Sequence, residues 1–593
     1  MDNIQIASLL RDIAACYQIA NEDKNKFRII AYERAADAVE HLSSEAKDLY
    51  DEGKLEDIPG VGASIAANLS DIFKTGKSKH FEALLKSVSP AVFELIPLEG
   101  IGPKLAYKLV NELKIKPPDA ISKLKKLVLK GEIAKLEGFG EDSQASILKA
   151  IDDYKESGNR HLLNYAESVA NLIVDWMKND ASVTRVDTLG SLRRKVSTIG
   201  DIDIACCTND VSKTIEHFVN YPDKKRVLDR GDKKASIIIP GNIQVDLMAQ
   251  RPNAYGALLQ HFTGSKHHNI ALREYARTKS KSLSEYGIRN LKTKKLKKLA
   301  SEEEFYHSLS LSYIPPELRE DTGEIQAAES DFKNQTPGLP KLIGLTDIKG
   351  DLQIHSNFDI ETSHDLGISS YRVIIQKAQE LGYEYLAFTD HNPSRSKHSD
   401  KQIIDLIKRK KESIEKLNYS LMHNNKRVIS VFNSLEVDIK SNGDLSIPEA
   451  AFDCLDFVLV SIHSVFRLSK ELMTKRVLLA LNHPKAKIFA HPTGRKLNER
   501  EGVELDWDKI FDYAKENNKF IEINADPMRL DLPDYLVKDA VKRGVMLTMG
   551  TDAHHVDHMI NMRYAVYVAR RGWAQKVNVL NTRPFKDVKM LLI

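Results

Sequence analysis

Cysteine is scarce in this chain: Cys16, Cys206, Cys207 and Cys454 are the four among 593 residues, and they show no paired spacing. That excludes a disulfide framework and fits reduced, mostly buried thiols in a cytoplasm. Long apolar runs are missing too, since none approaches the roughly 18–20 residues needed to span a bilayer. The opening Met1-Asp2-Asn3-Ile4-Gln5 has an early acid and no apolar core, which argues against a secretory signal. Net charge is small, with 87 Lys and Arg against 83 Asp and Glu. A total of +4 says nothing by itself about partners, so the placement of charge has to be read locally. What the chain does have is length. A single core rarely grows past about 250–300 residues, so several domains are expected. With 42% apolar and 29% charged residues, the composition is that of an ordinary globular protein.

The most informative stretch is Gly190-Ser191, then Arg194, Gly200 and Asp201-Ile202-Asp203. Carboxylates one residue apart on a strand project from the same face, because side-chain direction repeats every two residues. They can share a pair of divalent ions, while the Gly-Ser turn offers backbone amides and a hydroxyl to a triphosphate. Asp246, in Ile243-Gln244-Val245-Asp246-Leu247, lies on a later strand-like segment and can complete the cluster. Two metals on three carboxylates suit in-line phosphoryl transfer. The alternative is a pair of acids decorating a strand end or an Asx-turn. The preceding Gly-Ser and the apolar continuation Ile204-Ala205-Cys206-Cys207 favour a nucleotidyltransferase palm.

Upstream, one pattern occurs three times: Ile58-Pro59-Gly60-Val61-Gly62, Leu98-Glu99-Gly100-Ile101-Gly102 and Leu136-Glu137-Gly138-Phe139-Gly140, each opening a helical run. Such a turn exposes backbone N–H groups at the positive end of a helix, where a phosphate oxygen fits. A lone copy would read as a helix C-cap. Three copies resemble the helix-hairpin-helix motif, which grips DNA backbone without reading sequence. Glu137 and Glu141 flank the third copy with like charge. The run Lys26-Phe27-Arg28-Ile29-Ile30-Ala31-Tyr32 reads as an amphipathic helix with a basic side.

Taken together, these segments resemble the family X DNA polymerases, the group containing DNA polymerase beta. The resemblance implies that Gly190, Ser191 and Arg194 bind triphosphate, and that Asp201, Asp203 and Asp246 hold the catalytic metals. His261-Phe262-Thr263-Gly264-Ser265 corresponds to the family's aromatic-Thr-Gly-Ser turn beside the incoming sugar. Asn269 and Arg273 fall where the family contacts the base and the template minor groove. Two positions depart from the pattern. His261 stands where a tyrosine is usual in the animal enzymes, which bears on sugar discrimination. Asn68 stands where the family's lyase lysine would fall, and an amide cannot form a Schiff base. The lysines between Thr278 and Lys298 read either as a solvated run or as a track steering the template.

Beyond about Asp347, apolar strand-like runs alternate with helical ones, and histidines or carboxylates recur at the strand ends. They are His355, His391, Glu436, His463, His491, Asp552 and His554. Ligands at strand ends describe the C-terminal rim of a β/α barrel, and such a donor set suits Zn, Mn or Fe better than Mg alone. His423 and His483 read as structural. His491-Pro492-Thr493-Gly494-Arg495 and Thr551-Asp552-Ala553-His554 resemble the polymerase and histidinol phosphatase (PHP) domain, whose metal site hydrolyses phosphoesters. The family's first His-x-His is here Gln353-Ile354-His355, and its Ser-Asp-Gly is missing. Asp359 or Glu361 is the expected substitute ligand.

The resulting expectation is a multidomain α/β protein: a helix-hairpin-helix region, a mixed-sheet palm with a thumb, and a distorted β/α barrel. The expected boundaries are 1–80 and 81–157 (helical, DNA-binding), 158–260 (palm), 261–320 (thumb), 321–345 (linker) and 346–593 (PHP domain). The DNA-contacting glycines would be Gly60, Gly62, Gly100, Gly102, Gly138 and Gly140. The resemblance implies a DNA-directed DNA polymerase that fills short gaps in repair, with 3′-5′ exonuclease activity in the barrel. It implies two Mg²⁺ or Mn²⁺ in the palm, and up to three Mn²⁺, Zn²⁺ or Fe²⁺ in the barrel. Gapped or primer-template DNA and dNTPs are the expected partners of a cytoplasmic, nucleoid-associated monomer without membrane contact. Open alternatives are a degenerate structural barrel, a template-independent nucleotidyltransferase and a non-catalytic DNA-end scaffold.

Overall fold

The computed structural model describes residues 3–40, 46–51, 53–58, 60–98, 100–157, 160–423 and 429–593. Pro59 and Glu99 of the first two turns, Val428 before the third barrel strand, and Met1 and Asp2 lie outside the described residues. Two compact units are present, Met1–Asn159 and Arg160–Ile593.

The first unit is helical. Its leading helix Asn3–Glu40 breaks at Asn21, whose backbone is extended, so two helices meet there. The repeated turns share one geometry. Val61 N donates to Ile58 O at 2.9 Å, Ile101 N to Leu98 O at 2.9 Å and Phe139 N to Leu136 O at 3.1 Å. The third residue of each turn, Gly60, Gly100 or Gly138, is left-handed with φ of 86°, 76° or 82°, a conformation glycine adopts without strain. Helices Ala63–Thr75, Pro103–Glu112 and Glu141–Ser157 follow.

In the second unit, a five-stranded mixed sheet is built from β1 (Val183–Thr188), β2 (Ile202–Thr208), β3 (Arg226–Arg230), β4 (Lys234–Ile239) and β5 (Ile243–Gln250). Its order is β1-β2-β5-β4-β3, with β2 and β5 parallel and the other pairs antiparallel. Alternation divides β2 cleanly. Ile202, Ile204 and Cys206 pack with Val245, Leu247 and residues of helix Leu163–Lys178. The other face carries Asp203, Ala205 and Cys207, and Tyr255, Leu258 and Leu259 of helix Tyr255–Thr263 cover its apolar part. One face is therefore core, and the other has room for charge.

The following segment forms its own core around Leu272, Phe305, Tyr306 and Leu318. Residues 321–345, expected to be a linker, contain the helix Glu324–Phe332. Ile325 and Ala328 join that core, and buried Glu324 accepts a 2.6 Å hydrogen bond from His268 Nδ1. The polar texture that suggested a linker is thus partly a buried hydrogen-bonded pair, His268 with Glu324.

Seven parallel strands then run in sequence order: β6 (Gly350–Ile354), β7 (Tyr385–Phe388), β8 (Ser430–Asp438), β9 (Phe457–Ser461), β10 (Ala486–Phe489), β11 (Phe520–Asn524) and β12 (Leu547–Gly550). Asp552 N donates to Gln353 O at 3.0 Å and His355 N to Ala553 O at 3.0 Å, which brings the last strand back to the first. Leu352, Phe432, Phe457, Leu459, Ile488 and Phe520 form one apolar layer, joined by Val588 and Leu592 of the final helix. β11 carries Glu522 and Asn524 and is followed by Ala525-Asp526, with none of the histidines that follow β6, β7, β9 and β10 and make those strands legible in sequence.

Candidate active sites

Parallel pairing sets Asp203 of β2 directly beside Asp246 of β5, and Asp201 lies two residues before Asp203 on the same side. One oxygen from each of the three lies within 4.8 Å of the others. Asp201 is exposed, Asp203 half-buried and Asp246 buried. Burial, then the charges of Asp201 and Asp246, pushes Asp203 up to about 7. Asp201, though its side chain reaches solvent, is raised by partial desolvation and then by Asp246. Lys234 Nζ, 3.6 Å from Asp246 Oδ2, and the Gln244 amide at 3.1 Å offset part of this repulsion. A crowded, partly buried set of three carboxylates fits divalent cations, whose charge relieves the cost of ionising it.

The Gly-Ser turn is pressed onto this cluster. Gly190 has φ +55°, and a Cβ there would stand 2.4 Å from Asp203 Oδ2. Leu189 N donates to Asp203 O at 2.8 Å, tying the turn to β2. Ser191 is half-buried on the same turn, and its carbonyl accepts from Val196 N at 3.1 Å. Arg194 reaches back toward the 261–265 turn. Its Nη1 donates to Thr263 O, its Nε to Glu320 Oε1 at 2.9 Å, and Gly264 lies against its guanidinium. His261 and Phe262 make an edge contact at 4.9 Å. Asn269 Nδ2 donates to His261 O at 2.7 Å, so Asn269 anchors this turn, and exposed Arg273 follows one helical turn later. The nucleotide-binding residues expected from the sequence therefore border one another.

All six glycines of the N-terminal turns are exposed. Around the first, Tyr17, Arg28, Tyr32, Gly60, Gly62, Ser64 and His80 line a cavity of about 520 Å³. Asn68 is occupied otherwise: its Nδ2 donates to Ser64 O at 2.7 Å, and its Oδ1 accepts from Ser78 Oγ at 2.6 Å. At the third turn, Lys108 Nζ donates to Glu137 O at 2.6 Å and sits 5.1 Å from the Phe139 ring, a cation beside the flanking acids. The lysines Lys292, Lys294, Lys295, Lys297 and Lys298 are all exposed.

At the C-terminal ends of the barrel strands, four overlapping groups bring ligand atoms within 4.8 Å of one another. They are His355/His391/His554, His391/Glu436/His463, His355/Glu436/Asp552 and His364/Asp438/His463. Glu436 is shared by two of them. His491 joins through a 2.7 Å contact from Nε2 to Glu436 Oε1. Buried ring nitrogens of His391 and His554 have no hydrogen-bond partner among the described residues, which fits imidazoles meant for metal, while His355 Nε2 lies 3.0 Å from Asp552 Oδ1.

Two expected ligands fall elsewhere. Asp359 and Glu361 are exposed, the Asp359 carboxylate caps Glu361 N at 2.8 Å, and Glu361 Oε2 meets His398 Nε2 at 2.7 Å. The loop turns sharply at Glu361, φ 54°, and carries His364 inward instead. His364 Nε2 lies 3.0 Å from Asp438 Oδ1, and His463 Nδ1 2.6 Å from the same oxygen. Asp438 had a readable signal: Glu436-Val437-Asp438 repeats the spacing of Asp201-Ile202-Asp203. His364, in a loop with no period, had none. Gln353 is fully buried in the site, where its Nε2 donates to Glu436 Oε2 at 2.8 Å and its Oε1 accepts from Asn524 at 3.2 Å. It aims a ligand rather than being one.

The electrostatics follow. For His355, burial disfavours the charged ring, but Asp552 and Glu436 outweigh it and raise the group to about 10. His463 rises to about 9 in the same way, through Asp438 and Glu436. Burial pushes His391 well down. Glu436 is held far below the usual carboxylate range: burial opposes this, but His391 and His491 prevail.

Comparison with known proteins gives matches along the chain. Residues 258–320 match the family model described as DNA polymerase beta thumb, and residues 1–78 match a helix-hairpin-helix domain. The whole chain is 31% identical over 594 residues to the DNA polymerase/3'-5' exonuclease PolX of Bacillus subtilis (strain 168), covering 100% of this chain and 99% of that one. A probable phosphatase of Thermoanaerobacter sp. (strain X514) is 28% identical over 236 residues, 37% of this chain and 89% of its own length. A probable phosphatase of Clostridium acetobutylicum is 34% identical over 135 residues, 21% of this chain and 53% of its own.

Proposed function

We propose, from the premise that this chain belongs to the family X DNA polymerases with a C-terminal PHP domain, that it extends primers at short gaps and trims 3′ ends at a second centre. It is an enzyme that binds DNA and uses divalent metal ions, a DNA polymerase with 3′-5′ exonuclease activity. No helix among the described residues is long and apolar enough to cross a membrane. The observation that carries the polymerase reading is the Asp201/Asp203/Asp246 cluster with Gly190 packed on it.

In the palm, Asp201, Asp203 and Asp246 would hold two Mg²⁺ or Mn²⁺, which supply charge neutralisation and a lowered pKa for the attacking hydroxyl when bound. Asp246 takes the proton of the primer 3′-hydroxyl, held in place by Gln244 and Lys234. Amides of the Gly190-Ser191 turn and the Arg194 guanidinium bind the β- and γ-phosphates and stabilise charge on departing pyrophosphate. His261 and Phe262 border the sugar, Asn269 fixes that turn, and Arg273 reaches the template side. The hairpin turns, with Gly60, Gly62, Gly100, Gly102, Gly138 and Gly140, hold the duplex backbone.

In the barrel, His355, His364, His391, Glu436, Asp438, His463, His491, Asp552 and His554 would hold up to three Mn²⁺, Zn²⁺ or Fe²⁺ for phosphoester hydrolysis. The test is nucleotide addition on a one-nucleotide gap and on a single-stranded primer. Addition of the templated nucleotide at the gap is expected. Untemplated addition to the single strand at the same rate would replace this reading with that of a terminal transferase.

A further inference from the structure

The barrel touches the nucleotide-binding turn of the palm through one of its outer helices, Met562–Arg571. Arg571, on the last turn of that helix, is largely buried. Its Nη1 donates to Arg194 O at 2.8 Å and to Glu320 Oε1 at 2.9 Å. The same Glu320 oxygen accepts from Arg194 Nε at 2.9 Å. A single guanidinium nitrogen therefore grips both the backbone of Arg194 and the carboxylate that aims its side chain. Arg571 is itself fixed from the barrel side, with Nε donating to Asp534 Oδ2 at 2.7 Å. Neighbours on the helix make parallel contacts: Arg570 Nε donates to Glu317 Oε1 at 2.7 Å, and the Tyr567 ring lies 4.6 Å from Lys195 Nζ.

We propose that Arg571 is a positioning residue for nucleotide binding: the phosphoesterase barrel holds the palm's triphosphate-binding arginine in place through Arg571 and Glu320. The proposal rests on the reading of Arg194 as a triphosphate ligand. Three features carry it. Glu320 alone would pull Arg194 toward itself, whereas a second cation on the same oxygen shares that charge and leaves Arg194 more free to meet an anion. The contact to Arg194 O fixes the backbone of the Gly190–Arg194 turn, which an ion pair with the side chain cannot do. Arginine presents several donors in one planar fork, so it can serve three acceptors at once, while lysine offers a point charge.

The test uses the full-length protein on a one-nucleotide gap, with 3′-end excision measured on the same preparations. Arg571→Ala is expected to raise KM for the incoming dNTP about tenfold with kcat changed far less, because ground-state positioning is lost. Excision is expected to stay at the wild-type rate. Arg571→Lys should recover part of the KM, and Arg194→Ala should raise KM at least as much as Arg571→Ala. If Arg194→Ala raises KM while Arg571→Ala leaves it unchanged, the positioning role is wrong. If Arg571→Ala and Arg571→Lys depress kcat and excision together, the contact merely holds the fold and the proposal fails. If Arg194→Ala itself leaves KM unchanged, the triphosphate reading falls and takes this inference with it.

Discussion

Gly190 leaves no room for a side chain, because the space a Cβ would occupy is taken by an Asp203 oxygen at 2.4 Å. Gly190→Ala is expected to displace the Asp203 carboxylate, proposed above as a metal ligand, and cost about a hundredfold in nucleotide incorporation, as misplacements near 1 Å do. Excision by the barrel should be unchanged in the same variant. At the second centre, His364 and Asp359 give opposite expectations. His364→Ala should lower excision at least about tenfold, since it faces Asp438 and His463, whereas Asp359→Ala should leave it within about twofold. An excision assay on a 3′-labelled strand reads both.

The histidine pKa values set a pH dependence at the same scale. Metals require neutral imidazole, but His355 and His463 keep protons to about 10 and about 9 in the metal-free protein. Protons must leave for metal to enter, so Mn²⁺ affinity of the barrel should rise from pH 7 toward pH 9, with measurable proton release. Calorimetric titration in buffers of different ionisation enthalpy checks this. The stability sign is the reverse. Both groups are raised above their ordinary 6.5, so the metal-free fold has their full contribution below that value. It loses the contribution as pH rises through 9–10.

At the scale of elements, strands with a strict two-residue period were the readable part. Asp201-Ile202-Asp203 announced its face in the sequence, and the parallel partner Asp246 needed only a second strand of the same alternation. Strand-end histidines marked the barrel rim for a different reason, since parallel strands joined by helices all end on one face. The residues that escaped are those whose position depends on non-local turns. His364 comes from an aperiodic loop, the β11 strand ends without a histidine, and the Glu324 helix hides in a polar stretch whose charge is buried against His268. Gln353 looked like a lost ligand because its partner, Glu436, lies 83 residues away.

The hairpin turns allow a test with two signs. Gly102 caps its helix at φ −73° and ψ 170°, and a Cβ there meets nothing within 4 Å. Gly102→Asp places a good N-cap without clash, so stability should hold or rise by a few tenths of a kcal/mol. The same carboxylate faces the exposed amides offered to phosphate, so duplex affinity at low salt should drop, by about tenfold. Thermal melting and a binding isotherm on one preparation separate the two effects.

On the scale of the whole molecule, the described residues hold two candidate metal-ligand clusters of different chemistry. The palm uses oxygens alone, and the barrel mixes imidazole with carboxylate. Hard, labile cations suit the first, while the second retains softer ones more firmly. A brief chelator wash followed by Mg²⁺ should therefore restore synthesis before excision. Both clusters lie in the unit Arg160–Ile593, which makes contacts such as that of Arg571 possible without making the reactions interdependent.

The most direct test of two separate centres compares Asp246→Ala and His391→Ala with the wild type on a gapped duplex in Mn²⁺. The account predicts that the first abolishes primer extension and spares 3′ excision, and that the second does the reverse. Loss of both reactions in both variants would contradict it.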